Sequence, residues 1–182
     1  MREIPKYKCR IRSHLVLFFR NECVGKEASY AGKSVMSARF FPSSSIARYL
    51  YNLTDYQRKY SSQDVFFLFL EIEKTNFKYQ GTLYVDQGGV KKPVELTGDQ
   101  IKAFNDLLED IFRLSFIFYV EACVANGISI STAINQFIEK YELLECGFEP
   151  ETLRALYKRE KKKGSKLSRF QTQSSNMVLN YA

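Results

Sequence analysis

The residue types with the clearest chemistry lie in one basic run between positions 154 and 169. The run has eight bases and one acid, Glu160, so its formal charge is 8 − 1 = +7, equal to that of the whole chain. In residues 1–153 the charges cancel, because 27 − 8 = 19 bases meet 20 − 1 = 19 acids. A neutral body with one basic segment favours a polyanionic partner. The eight bases are Arg154, Lys158, Arg159, Lys161, Lys162, Lys163, Lys166 and Arg169.

Two predicted helices, 131–144 and 150–163, would present this basic run. On the second helix Leu153, Leu156 and Tyr157 fall on one narrow side, and bases cover the rest. The pair resembles a helix–turn–helix in architecture, which implies that the second helix lies along a groove of nucleic acid. All eight bases are therefore predicted to bind nucleic acid, with duplex DNA as the favoured ligand. The plain alternative is a helical hairpin whose terminal lysines complement the helix dipole.

A Gly-Lys-Ser tripeptide at residues 32–34 has the ending of a phosphate-binding P-loop. The complete motif needs a further glycine five residues before Gly32, and that position holds Glu27. No apolar strand leads directly into the tripeptide, and no clear helix pattern begins at its serine. We therefore exclude nucleotide hydrolysis at this motif.

Two carboxylates, Glu71 and Glu73, share one face of a predicted strand and are followed by Lys74. Nucleases that depend on Mg²⁺ use carboxylates and a lysine to hold the metal against a phosphate. Their usual acid–any–Lys ending would need an acid at position 72, where Ile72 stands. A solvated strand end is the favoured interpretation, and a metal-dependent nuclease is kept as the weaker alternative.

Histidine and cysteine form no pattern for a metal or a catalytic nucleophile. The chain has one histidine, His14, and its four cysteines at 9, 23, 123 and 146 show no CxxC spacing. A structural zinc site needs four ligands at short paired spacings, so neither a metal nor a cofactor is predicted. No catalytic residue is assigned, and the protein is predicted not to be an enzyme.

Hydrophobic periodicity predicts an α+β fold. Residues 7–19 alternate at their start and predict an N-terminal strand, and residues 65–96 predict a three-stranded antiparallel meander. Residues 45–59 predict an amphipathic helix. The segment 98–125 is apolar nearly all round in its second half, so it is predicted as a long central helix packed against the sheet. A C-terminal helical hairpin of helix–turn–helix type completes the predicted fold.

Capping residues predict where three of the helices begin. Thr97 and Gln100 have the spacing of a capping box before the long helix. Ser129 or Ser131 is a candidate N-cap for the next helix. Pro150 stands where the first residue of the last helix would lie, a position that proline favours.

The predicted organisation has three parts. Residues 1–126 form the α+β body, residues 127–164 form the basic helical hairpin, and residues 165–182 form a tail rich in Ser, Gln and Asn that is predicted to be disordered. No targeting segment is predicted, and the most apolar stretch, 111–124, contains two charges and is short of a membrane span. Without a disulfide framework, the cysteines favour a reducing compartment. A cytoplasmic protein without membrane contact is expected.

The leading functional hypothesis is a non-catalytic DNA-binding protein with an accessory or regulatory role. In this hypothesis the basic hairpin contacts phosphates, and the body binds a protein partner or forms a homo-oligomer. The alternative is a structural or assembly protein of a virion or mobile element, in which the body makes the main contacts. Salt-dependent binding to duplex DNA, single-stranded DNA and RNA distinguishes the two.

Overall fold

The chain divides into two compact units in the computed structural model. They are Met1–Leu107 and Leu108–Ala182, and the boundary falls within one long helix. The residues that the structure describes are 11–23, 26–30, 33–40, 44–53, 65–71, 80–87, 90–93 and 96–163. The predicted tail 165–182 lies outside them.

The first unit begins with a helix, α1, over Ser13–Glu22. The predicted N-terminal strand at 7–19 is therefore wrong over its described part. Six consecutive side chains, from His14 to Phe19, are buried in α1. A short run that is apolar on every side fits a buried helix as well as a buried strand, so periodicity alone could not decide between them.

Five extended backbone segments also belong to this unit. They are β1 (Lys26–Tyr30), β2 (Lys33–Phe40), β3 (Val65–Glu71), β4 (Gln80–Gln87) and β5 (Val90–Pro93). The backbone pairs them in chain order, β1-β2-β3-β4-β5, and every pairing is antiparallel. Leu68 pairs with Leu83 at the middle of β3 and β4. The last three segments follow the chain order that a meander requires.

Two further helices begin at side-chain caps within the first unit. The helix α2 covers Ser45–Leu53, and the Ser44 hydroxyl accepts a hydrogen bond from the Ala47 N–H at 3.2 Å. The long helix α3 covers Gly98–Ala125. Its capping box is confirmed, because the Thr97 N–H donates to Gln100 Oε1 at 2.8 Å and the Gln100 N–H donates to Thr97 Oγ1 at 3.3 Å.

The second unit joins the later part of α3 to two more helices. These are α4 (Ile130–Lys140) and α5 (Pro150–Lys162), with a 3-10 helix at Leu143–Cys146 between them. The cap of α4 is Ser129, whose hydroxyl accepts from the Thr132 N–H at 3.1 Å. Pro150 is the first residue of α5, as the sequence predicts.

The core of the second unit is built by helices. Phe137 of α4 lies 5.1 Å from Phe116 and 5.9 Å from Phe112 of α3, measured between ring centroids. Phe116 also meets Tyr157 of α5 at 6.5 Å. Edge-to-face ring pairs at such distances are favourable beyond the area they bury.

The predicted fold class, an α+β body whose sheet packs on the helix 98–125, is corrected by these contacts. The segments 11–23, 44–53 and 96–163 are those in which side-chain burial is described as well as the backbone. Their regular elements are five α-helices and the 3-10 helix, without a strand, so this part of the chain is mostly helical. The second half of α3 is apolar because it meets α4 and α5, whereas the sequence interpretation assigned that surface to a sheet. Within the described residues no helix is long and apolar enough to cross a membrane.

Candidate nucleic-acid interface

One side of α5 is buried and fixes this helix to its unit. Leu153 is fully buried, and Leu156 and Tyr157 are 6% and 4% exposed. The three residues recur at three- and four-residue steps, so they form a single stripe along the helix. This confirms the buried arc that the sequence predicts for residues 150–163.

The connection before α5 is a defined turn. Glu142 has a left-handed backbone with φ 53°, and Gly147 has φ 75°. The Gly147 N–H donates to the Leu144 carbonyl at 3.0 Å, and the Phe148 N–H donates to the Leu143 carbonyl at 3.2 Å. Leu143 is buried beneath the turn. The helix–turn–helix resemblance is not supported, since this connection is longer than the turn of about three to four residues in that motif.

The side of α5 away from the core carries exposed cations. Lys158, Arg159, Lys161 and Lys162 are all exposed. Lys158 and Lys162 are four residues apart, which places them one turn apart on the same side. The Lys161 ammonium lies 5.7 Å from the centroid of the Tyr157 ring, which suits a cation–π contact. We call these four residues the basic face.

No carboxylate neutralises the basic face among the described residues. The ion pairs of α5 with described partners involve Glu160 and Lys163, and none involves a residue of the basic face. The charges of this face are therefore available to a ligand.

Two other bases of the run are engaged in contacts within the protein. Arg154 is half-buried, and its guanidinium donates to Ser131 Oγ at 2.9 Å, which links α5 to the start of α4. Lys163 Nζ lies 3.0 Å from Glu160 Oε2. Both cations therefore have hydrogen-bond or ion-pair partners within the protein, whereas the four cations of the basic face have none among the described residues.

The eight predicted binding residues thus separate into three groups. Four form the basic face, Arg154 and Lys163 serve internal contacts, and Lys166 and Arg169 lie outside the described residues. The sequence interpretation missed Glu160, which it counted as a single acid among bases. Its spacing after Leu153, Leu156 and Tyr157 continues the buried stripe and was the available signal.

The described residues add no support for a metal site, a catalytic histidine or the nuclease alternative. His14 is buried in α1. Among the described residues, no three His, Cys, Asp or Glu side chains are placed to hold a metal ion. The side chains of Glu71 and Glu73, which carry the nuclease alternative, lie outside the described part of the chain.

Two of the described cysteines have thiol pKa values raised above the ordinary one. Cys23, Cys123 and Cys146 are free. Burial first, and then the Glu145 carboxylate, raise the pKa of the Cys146 thiol to about 11. Burial, with a smaller contribution from Glu22, also raises the pKa of the Cys23 thiol. Because the thiolate is the nucleophile, these shifts disfavour reactivity at neutral pH.

Comparison with known proteins gives no family assignment. No family model, curated protein or solved structure matches the chain.

Proposed function

We propose that this protein binds nucleic acid through the basic face of α5 and catalyses no reaction. The observation that supports the proposal is the separation of the two sides of α5. Leu153, Leu156 and Tyr157 fix one side in the core, while Lys158 and Lys162 stay exposed on the other. A helix held in this way presents its cations from a backbone that needs no further ordering on binding, although the lysine side chains themselves still lose rotamer freedom.

The expected contacts are between ammonium or guanidinium groups and phosphates. Such contacts release counterions from the nucleic acid, so affinity falls steeply as salt concentration rises. They position a helix but carry little sequence information. The proposal therefore describes an accessory or regulatory binder of duplex DNA, with a cytoplasmic location expected from its cysteine pattern.

The experiment compares two double variants of equal charge. Lys158→Gln with Lys162→Gln removes two charges from the basic face, and Arg48→Gln with Lys102→Gln removes two exposed charges from α2 and α3. Binding is measured at several salt concentrations with duplex DNA, single-stranded DNA and RNA of equal length. We expect the log–log salt slope of the first variant to become shallower by up to about 2, since each phosphate contact contributes about 0.9.

The control variant should keep the wild-type slope, because its two positions belong to helices other than α5. Equal slopes for the two variants would show that long-range charge, not the basic face, governs binding. A wild-type protein that binds none of the three nucleic acids would reject the proposal and favour the structural or assembly alternative.

A further inference from the structure

A carboxylate, Glu160, lies on the buried side of α5. Its side chain is 3% exposed, and it follows Leu156 and Tyr157 by one turn of the helix. An apolar side chain at this position would simply continue the buried stripe. A buried carboxylate instead carries a desolvation penalty that only well-placed partners offset.

The partners of Glu160 come from both its own helix and α3. Lys163 Nζ lies 3.0 Å from Glu160 Oε2, and Arg113 NH1 lies 3.5 Å from Glu160 Oε1. The Arg113 Nε–H also donates to Glu109 Oε1 at 2.5 Å, one turn away on α3. We call these two carboxylates and two cations the Glu160 cluster, which connects α5 with α3.

The Glu160 cluster constrains α5 in a way that the apolar stripe does not. Contacts between apolar side chains are not directional, so a stripe such as Leu153, Leu156 and Tyr157 tolerates a small rotation or shift of its helix. Hydrogen bonds hold Arg113 against Glu109 on α3 and Glu160 against Lys163 on α5, and the 3.5 Å ion pair between Arg113 and Glu160 joins these two fixed pairs. Replacing buried ion pairs by apolar residues often leaves stability unchanged or higher, and single buried polar residues can fix the register of packed helices.

We propose that Glu160 is a positioning residue for the nucleic-acid interface. Through Arg113 it fixes the rotation of α5 about its own axis, and so it fixes the direction of the basic face. This inference rests on the proposed function. It adds that an acidic residue inside the basic run favours binding of a polyanion, which is opposite in sign to the effect expected from its charge.

The opposite signs define the experiment. Glu160→Leu raises the net charge by one and releases Lys163, so charge alone would tighten binding. Glu151→Leu, at an exposed position of the same helix, makes the same change of charge without touching the Glu160 cluster. Both full-length variants are titrated with a labelled DNA duplex and with a single-stranded oligonucleotide at several salt concentrations.

We expect Glu160→Leu to keep a cooperative melt at a lowered temperature, because Arg113 and Lys163 each lose a carboxylate partner, and to bind more weakly than Glu151→Leu where both variants are folded. Its salt slope should be shallower than that of Glu151→Leu by about 1 or more, which corresponds to at least one lost phosphate contact. Equal affinity and equal slope in the two variants would overturn the inference.

A second matched pair covers the case in which Glu160→Leu does not fold. Glu160→Gln keeps the shape of the side chain and an acceptor for Lys163, and Glu151→Gln is its control. Weaker binding by Glu160→Gln than by Glu151→Gln supports the positioning role, and equal binding overturns it.

A readout without nucleic acid separates this inference from the proposed function. Hydroxyl-radical footprinting reports the exposure of Leu156 and Tyr157, which are buried in the wild-type protein. We expect Glu160→Leu, or Glu160→Gln where that variant replaces it, to lose protection at one of these residues while its melt stays cooperative. Unchanged protection contradicts the positioning role even where binding is absent, whereas absent binding with changed protection contradicts only the proposed function.

Discussion

The two sides of α5 differ in what their residues contact, although they alternate along the same thirteen-residue helix. On the inner side Leu153 is fully buried and Tyr157 packs against Phe116 of α3. On the outer side Lys158 and Lys162 face solvent. The inner side therefore contributes to the free energy of unfolding, and the outer side contributes charge without a part in the core.

This difference shows how one helix can separate stability from binding. Large effects on stability arise from cavities and from unpaired buried groups, and exposed positions contribute little. Substitutions of the apolar residues on the inner side should change stability and leave the chemistry of the basic face unaltered, whereas Glu160 is proposed to affect binding from the same side. Substitutions on the outer side should do the reverse, and three variants of graded effect test this separation.

The largest effect is expected from Leu153→Ala. Removing this fully buried side chain leaves a cavity between α5 and its neighbours, which typically costs about 2–5 kcal/mol in the free energy of unfolding. Denaturant titration measures the loss. Binding by Leu153→Ala and by the wild type is then compared without denaturant, at a temperature where both proteins are folded. The two proteins should have the same salt slope.

A salt slope that changes with Leu153→Ala would break the separation of the two sides. It would mean that the packing of α5 and the direction of the basic face cannot be varied independently. A loss of stability well below the expected range would show that neighbouring side chains relax into the space that the leucine leaves.

An intermediate effect is expected from Arg154→Gln, because Arg154 stands between the two sides. Its hydrogen bond to Ser131 at 2.9 Å contributes no more than about 1 kcal/mol to stability, since the bond is open to solvent on the Ser131 side. A double-mutant cycle compares Arg154→Gln, Ser131→Ala and the double variant. Each of the three should lose about the same free energy of unfolding, because each removes the same hydrogen bond. Strict additivity would show that the link between α5 and α4 is not energetically coupled.

The smallest effect on stability is expected from Arg159→Ala on the outer side. No described residue forms an ion pair or hydrogen bond with Arg159, so the free energy of unfolding should change by less than about 0.5 kcal/mol. Thermal and denaturant melts of the purified variant measure this. A loss comparable to that of Leu153→Ala would show that the outer side is also part of the folded core.

Local signals in the sequence predicted where helices begin, whereas the helix predicted at 131–144 ends at Lys140 and a 3-10 helix follows at Leu143–Cys146. The capping box of Thr97 and Gln100, the cap at Ser129 and the first-turn Pro150 are short-range patterns, and the structure confirms each of them. The buried stripe of α5 was predictable for the same reason, because it depends on spacing within one helix.

Features that depend on distant contacts were not predictable. One partner of Glu160 is Arg113, on another helix, and no spacing rule joins the two positions. Likewise the sequence interpretation assigned Arg154 to a phosphate contact. Its hydrogen-bond partner Ser131 lies on α4, and no spacing rule shows that the two residues meet. At α1 the continuous apolar run fitted two secondary structures, and only its tertiary surroundings decided between them.

The ring cluster around Phe137 gives the second unit an optical property of its own. Tyr119 and Tyr141 lie 5.4 Å and 4.6 Å from Phe137, and the chain contains no tryptophan. Rings held in a fixed asymmetric environment give near-ultraviolet circular dichroism, and that signal disappears when side-chain packing is lost. Because the chain has twelve tyrosines, the difference between the wild-type spectrum and the spectra of Tyr119→Phe and Tyr141→Phe isolates the signal that reports the docking of α4 on α3, free of tryptophan background.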